Sequence, residues 1–281
     1  MLQPALSIED IVNVDVYPIH DLSHPGRQSV IEQCRDALEN QLYCVIPDFV
    51  VASALEVMAE EATRLQPASN HNNSRRNCYL HRQLDPALPD DHARNLQDRS
   101  SVRMTAYDQI ADSSPLKTFY HADSVRKTIS EIVGEGELFD NEDPYQPANY
   151  VCYREGDESS WHFDADNSFT MTLMIQAAEH GGDFEMSPNT RTDADQNYDH
   201  AGKVLRGENN DTIVSIAREP GALCIFRGCN SLHRVSPVRG STLRIMGVFV
   251  YEFGPGIVGD PEVNATIYGP RVTEAGIGLG N

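Results

Sequence analysis

The sequence predicts a mainly β protein with a helical N-terminal region, its core a double-sheet, jelly-roll-like (cupin-like) barrel buttressed by helices. Two observations predict it. From about residue 147 the chain breaks into short apolar segments separated by the turn signals "EGD", "HGGD", "EPGA" and "VRGS", the texture of a two-sheet barrel. Before that point, apolar residues recur mostly at helical intervals, with single strand-like runs between them.

Taken in order, residues 26–40 place Val30, Ile31, Cys34, Ala37 and Leu38 on one face, which predicts an amphipathic helix. "LYCVIPDFV" is a buried strand stopped by Pro47, and "ASALEVMAEEATRLQ" is a second helix. Residues 67–100 are rich in Asn, Asp, Arg, Pro and His and predict a long exposed loop, of the kind that serves as a lid. "SVRMTAYDQI" resumes strand character, and residues 114–133 predict a helix with Pro115 in its first turn. The barrel strands follow as "ANYVCYRE", "SSWHFD", "SFTMTLMIQ", "GGDFEMSP", "DTIVSIARE", "GALCIFRG", "SLHRVSPV" and "STLRIMGVFVYEF". One domain over 1–281 is expected, with helical support at 1–146, the barrel core at 147–254 and a C-terminal extension at 255–281.

Composition excludes several functions. A formal net charge of -20, from 42 acidic and 22 basic residues, argues against nucleic acid or an anionic membrane as partner, since both require Lys/Arg surfaces. The six cysteines are scattered without a CxxC pair, several of them in apolar runs such as "YCVI" and "ALCIF", so neither a zinc knuckle nor a disulfide framework is indicated. The N-terminus lacks a basic segment followed by an apolar one, and no apolar run reaches bilayer length. A soluble, cytoplasmic protein acting on a small molecule is expected, with a homodimer left open.

The stretch "SSWHFDADNSFT" places His162 and Asp164 two residues apart on a strand, so both project to one face. A structural His–Asp hydrogen bond is one reading. The other is two of the three ligands of a facial-triad Fe(II) site, in which one carboxylate and two imidazoles leave three positions open. A third ligand decides between them. His180 lies in a turn and His200 in a polar segment, whereas His233 directly follows the buried strand "GALCIFRG". Eleven residues later Arg244 stands alone in the apolar run "TLRIMGVFV". A buried arginine with no acid nearby requires an anion, which a dicarboxylate cosubstrate would supply through a bidentate pair.

This order (HxD, a long gap, His, then Arg) resembles the Fe(II)/2-oxoglutarate-dependent dioxygenases, whose fold is a double-stranded β-helix. A closer resemblance, to the BesD/HalD-type amino-acid halogenases and their hydroxylating relatives, rests on "VRMTAYD", "YREGDESSWHFD", "GGDFEMSP", "GALCIFRGCNSLHRVSPV", "LRIMGVFVYE" and "ATIYGP". The resemblance implies iron ligands at His162, Asp164 and His233, a 2-oxoglutarate anchor at Arg244, and Fe(II), 2-oxoglutarate and O2 as cofactor and cosubstrates. It also implies a substrate-carboxylate arginine at Arg103. Halogenating members replace the carboxylate of the motif with Gly; here Asp164 is retained, so hydroxylation is the implied outcome. The lysine-specific members place an acid immediately after the motif, where this chain has Ala165, with Asp166 one residue further.

If Arg244 faces the barrel interior, Met246, Val248 and Val250 face it too. That row favours an apolar or weakly polar substrate side chain, with Asp166, Glu142 and Asp143 as the acids available to a cationic one. Trp161, the only tryptophan, alternates away from His162 and is expected in packing. "GGDF" predicts a tight turn. The expected activity is hydroxylation of an unactivated C–H of an amino acid or amino-acid-like small molecule, with release of succinate and CO2. Its rivals are desaturation or cyclisation by the same chemistry, a carrier-bound or peptide substrate, and a non-enzymatic cupin-like binding protein.

Overall fold

The computed structural model describes residues 6–164, 169–208 and 210–273. The strands of its two main sheets are, in chain order, β1 (Tyr43–Ile46), β2 (Asn70–Asn77), β3 (Gln97–Thr105), β4 (Ala148–Tyr153), β5 (Ser159–His162) and β6 (Thr170–Gln176), followed by β7 (Phe184–Ser187), β8 (Val214–Ile216), β9 (Leu223–Phe226), β10 (Leu232–Val235) and β11 (Arg244–Phe249). Among the described residues, one sheet runs β1-β9-β6-β11-β4-β3-β2 and the other β8-β7-β10-β5. Every pairing within them is antiparallel. Two facing antiparallel sheets of this order form a jelly-roll, double-stranded β-helix.

Strand alternation sorts the core into two layers. In β11, Ile245 and Phe249 face the helices, while Met246 and Val248 face the space between the sheets. The helix-facing layer joins Met171, Leu173, Leu223 and Ile225 to residues of α1 (Pro25–Gln41), α2 (Ala52–Leu65), α3 (Pro115–His121) and α4 (Asp123–Val133). Phe119 is fully buried there, its ring edge-on to Phe49 and 5.0 Å from Phe249. Truncating a ring so placed costs about 3–5 kcal/mol. Arg27 ties α1 to α4 through a bidentate bond to Glu131 at 2.8 and 3.0 Å.

Three expectations change. Segment 67–100 is not an extended loop, because β2 and β3 form a ladder from Asn70↔Met104 to Asn77↔Gln97, leaving only 78–96 as connection. The polar composition of β2 reflects its place at the sheet edge, where one side of the strand has no neighbour. The large sheet accordingly takes β1, β2 and β3 from the region expected to be helical support. The helix expected over 114–133 is broken at Ala122, whose backbone is extended. There the carbonyl of Tyr120 accepts from the Tyr251 hydroxyl at 2.6 Å, which diverts it from a helical partner.

All six cysteines are free. Trp161 packs with Phe163, Cys78, Val204 and Leu232 on the outer side of the smaller sheet, facing away from His162. No described helix is long and apolar enough to cross a membrane.

Candidate active site

β5 and β10 are neighbours in the smaller sheet, and their register places His233 directly opposite His162. The two rings lie 4.3 Å apart between centroids. Asp164 follows β5 by two residues, and its backbone N–H donates to the Gly228 carbonyl at 3.1 Å. Its Oδ1 stands 3.7 Å from His162 Nε2 and 3.4 Å from His233 Nε2. One ligand atom from each of the three residues falls within 4.8 Å of the others. They form one cluster that could hold a metal ion.

The hydrogen bonds around the cluster suit that role. His162 Nδ1 meets the Ser160 carbonyl at 2.7 Å, and His233 Nδ1 meets the Ser231 carbonyl at 2.9 Å. Each ring donates through Nδ1 and leaves the Nε2 lone pair facing the cluster. The Thr170 hydroxyl donates to Asp164 Oδ2 and turns Oδ1 toward the histidines. Gly228 is required by close approach, since a Cβ there would fall 2.0 Å from Asp164 Oδ2. Burial, then the neighbouring His233 and Arg76, lowers the His162 pKa to about 3. Burial opposes ionisation of Asp164, yet the two histidines and Thr170 hold its carboxyl well below the usual range. Two imidazole nitrogens and one carboxylate make up the donor set of a divalent first-row metal.

The cluster opens into a cavity of about 200 Å³ between the sheets, lined by Val102, Met104, Val248, Met246, Arg76 and Arg218 among others. Arg244 lies beyond Met246. It is buried, donates through Nε to the Gly182 carbonyl at 2.9 Å, and has an Nη2 without a partner. Burial and the nearby Arg218 push its pKa down to about 9. Gly182 is held at φ +68°, and a Cβ there would come 2.7 Å from Arg244 Cδ, so "GGDF" supplies both the turn and room for the arginine.

The sequence-derived residues divide as follows. His162, Asp164 and His233 come together, Val248 lines the cavity beside them, and Arg244 stands behind Met246. Val250 is not among the lining residues, because β11 ends at Phe249. Arg103 is not brought to the cavity. Val102 and Met104 take the inward positions of β3, which turns Arg103 to the opposite face, ion-paired with Asp157 and near His71. Asp166 lies outside the described residues. Glu142 accepts from the Gly256 N–H, and Asp143 is enclosed by Gly259 and Asn264, so neither lines the cavity. His180 is exposed, and His200 contacts Ser187.

Two arginines were missed. Arg76 is on β2, and its buried Nε has no partner; Arg218 is a nearly buried residue just after β8. The signal for Arg218 was present in "SIARE", where buried Ile216 and Arg218 alternate with exposed Ser215, Ala217 and Glu219. Arg76 and Arg218 thus line a cavity whose only lining carboxylate, among the described residues, is Asp164, while Arg244 and Arg218 line a neighbouring one that also holds Glu179, Asp183 and Glu219.

Comparison with known proteins agrees with this geometry. The family model described as HalD, Halogenase D, matches residues 27–254. Among solved structures, an oxidoreductase of the 2OG-Fe(II) oxygenase family from Burkholderia pseudomallei superposes with TM-score 0.52 at 13% identity, covering 81% of this chain and 92% of that one. The non-heme alpha ketoglutarate dependent epimerase SnoN from nogalamycin biosynthesis gives TM-score 0.54 at 11% identity over 83% and 91%. A prolyl hydroxylase from Trichoplax adhaerens gives 0.52 at 15% identity over 80% and 90%. At these identities the structures establish the shared fold. No curated protein matches the sequence. With most of its length matched by the family model, the chain belongs to the halogenase D family.

Proposed function

We propose that the chain is an Fe(II)/2-oxoglutarate-dependent dioxygenase that hydroxylates an unactivated C–H bond of an amino acid or amino-acid-like small molecule. The observation that supports it is the convergence of His162, Asp164 and His233 beside arginines that lack a counter-anion. Fe(II) held by these three residues would supply, with 2-oxoglutarate and O2, the oxidising power, succinate and CO2 being the co-products. His162, Asp164 and His233 would hold the ion, and the backbone carbonyls behind the histidines fix their ring orientation. Arg244 anchors the distal carboxylate of the cosubstrate. Asp164 stands where halogenating relatives have Gly, so the position a halide needs is occupied by a ligand, and hydroxylation is favoured.

The charge inside the cavity bears on the substrate. A divalent metal, the guanidinium groups of Arg76 and Arg218, Asp164 and a 2-oxoglutarate dianion leave an excess of positive charge, which an anionic substrate group would balance. Arg76 takes the carboxylate-binding role that the resemblance gave to Arg103. Met104, Val102 and Val248 supply an apolar wall for the rest of the molecule. Succinate release measured across free amino acids, N-acyl amino acids and nucleosides tests the reading. With the substrate so found, Arg76→Gln raises its KM at least about 10-fold while leaving the KM for 2-oxoglutarate nearly unchanged. Arg103→Gln acts on thermal stability through Asp157 instead. Stoichiometric Fe(II) binding without succinate formation on any substrate would favour the non-enzymatic cupin-like reading.

A further inference from the structure

Resting on the cosubstrate reading above, the geometry points to Arg218 as a second anchor. We infer that Arg218 shares with Arg244 the holding of the distal carboxylate of 2-oxoglutarate.

The heights of side chains along the barrel support this. On β6, Thr170, Thr172 and Met174 share one strand face; Thr170 bonds Asp164 and so marks the level of the metal ligands. Arg218 Nη1 donates to Thr172 Oγ1 at 3.0 Å, one inward step deeper. Two residues of strand rise about 6–7 Å, comparable with the length of an extended five-carbon diacid. The next level holds Met246, paired with Met174, and Arg244 lies one step beyond it. A diacid extending inward from the metal ligands would therefore present its far carboxylate at the level of Arg218, with Arg244 deeper still.

Both guanidinium groups already converge on one weak acceptor. Arg244 Nη1 is 2.8 Å and Arg218 Nη2 4.0 Å from Met246 Sδ. Arg218 Nε and Arg244 Nη2 are buried without partners, and neither arginine has an ion-pair partner among the described residues. The Arg218 guanidinium also sits over the Phe184 ring, 4.1 Å from its centroid, a contact that helps to hold it in place. It lines both the metal-side cavity and a second one of about 450 Å³ that includes Arg244, and so forms part of the wall between them. Two buried like charges side by side are costly until an anion bridges them. A planar carboxylate with two oxygens meets that need, whereas a 2-oxo monoacid would leave both guanidinium groups uncompensated.

The test uses glutarate, a diacid without the 2-oxo chelating group, titrated calorimetrically into metal-free protein, alongside steady-state KM for 2-oxoglutarate. Arg218→Ala weakens glutarate binding and raises the KM at least about 10-fold. Fe(II) affinity stays at the wild-type level, and the preference for 2-oxoglutarate over 2-oxobutyrate shrinks. Arg218→Lys, which keeps the charge and guards against misfolding of the alanine variant, recovers part of the loss. Wild-type glutarate affinity and wild-type KM in both variants overturn the inference; if Arg244→Ala alone abolishes them, the cosubstrate reading survives. Failure of the wild-type protein to bind either glutarate or 2-oxoglutarate brings down both.

Discussion

Alanine at position 233 is expected to eliminate Fe(II)-dependent succinate formation. His233 supplies one of three ligand atoms, and its ring is already oriented through the Ser231 carbonyl, so its loss leaves a single imidazole and Asp164. Removing an outer partner of a metal ligand typically costs about 10- to 100-fold, and removing the ligand itself costs more. Isothermal titration with Fe(II) under anaerobic conditions and a succinate assay should fall together. His180→Ala and His200→Ala, at histidines outside the cluster, should retain most activity. Turnover close to wild type in His233→Ala would show that the ion, if bound, is held elsewhere.

The second large effect is expected at Arg244. Truncating one partner of a buried charge pair costs about 2–5 kcal/mol, so Arg244→Ala should raise the KM for 2-oxoglutarate by at least about 30-fold. Fe(II) binding should be nearly unaffected, since the guanidinium lies beyond Met246 and touches none of the three ligands. That contrast with His233→Ala separates the two roles. Exposed Arg239, close by in sequence, is the control, and its alanine variant should keep the wild-type KM. Normal 2-oxoglutarate dependence in Arg244→Ala together with a defect in Arg239→Ala would relocate the anchor.

Much of the barrel was legible because its strands are buried on at least one face and short, so apolar runs and turn residues mark them directly. The spacing of His162 and Asp164 is likewise a strand property that survives any detail of packing. Three things were hidden, each for a physical reason. β2 is built from "NHNNSRRN", whose polarity matches a loop; it pairs through backbone bonds, which composition does not report. Arg76 went unnoticed with it. Arg103 was placed by resemblance alone, although the period of two across Val102 and Met104 already turned it outward. The break at Ala122 depends on Tyr251, more than a hundred residues away, bonding the Tyr120 carbonyl, and no local pattern encodes such a contact.

The buried guanidinium groups sit inside a chain of formal net charge -20, and this inversion has a kinetic consequence. A dianion approaching from solvent meets an exterior that repels it before it meets an interior that attracts it. Mobile ions act almost entirely on the first of these, since the Debye length is about 10 Å at 0.1 M ionic strength, while the enclosed pairs are shielded from them. Added salt should therefore speed entry of 2-oxoglutarate without loosening its grip once inside, the opposite of the usual behaviour of an anion-binding protein with a basic surface.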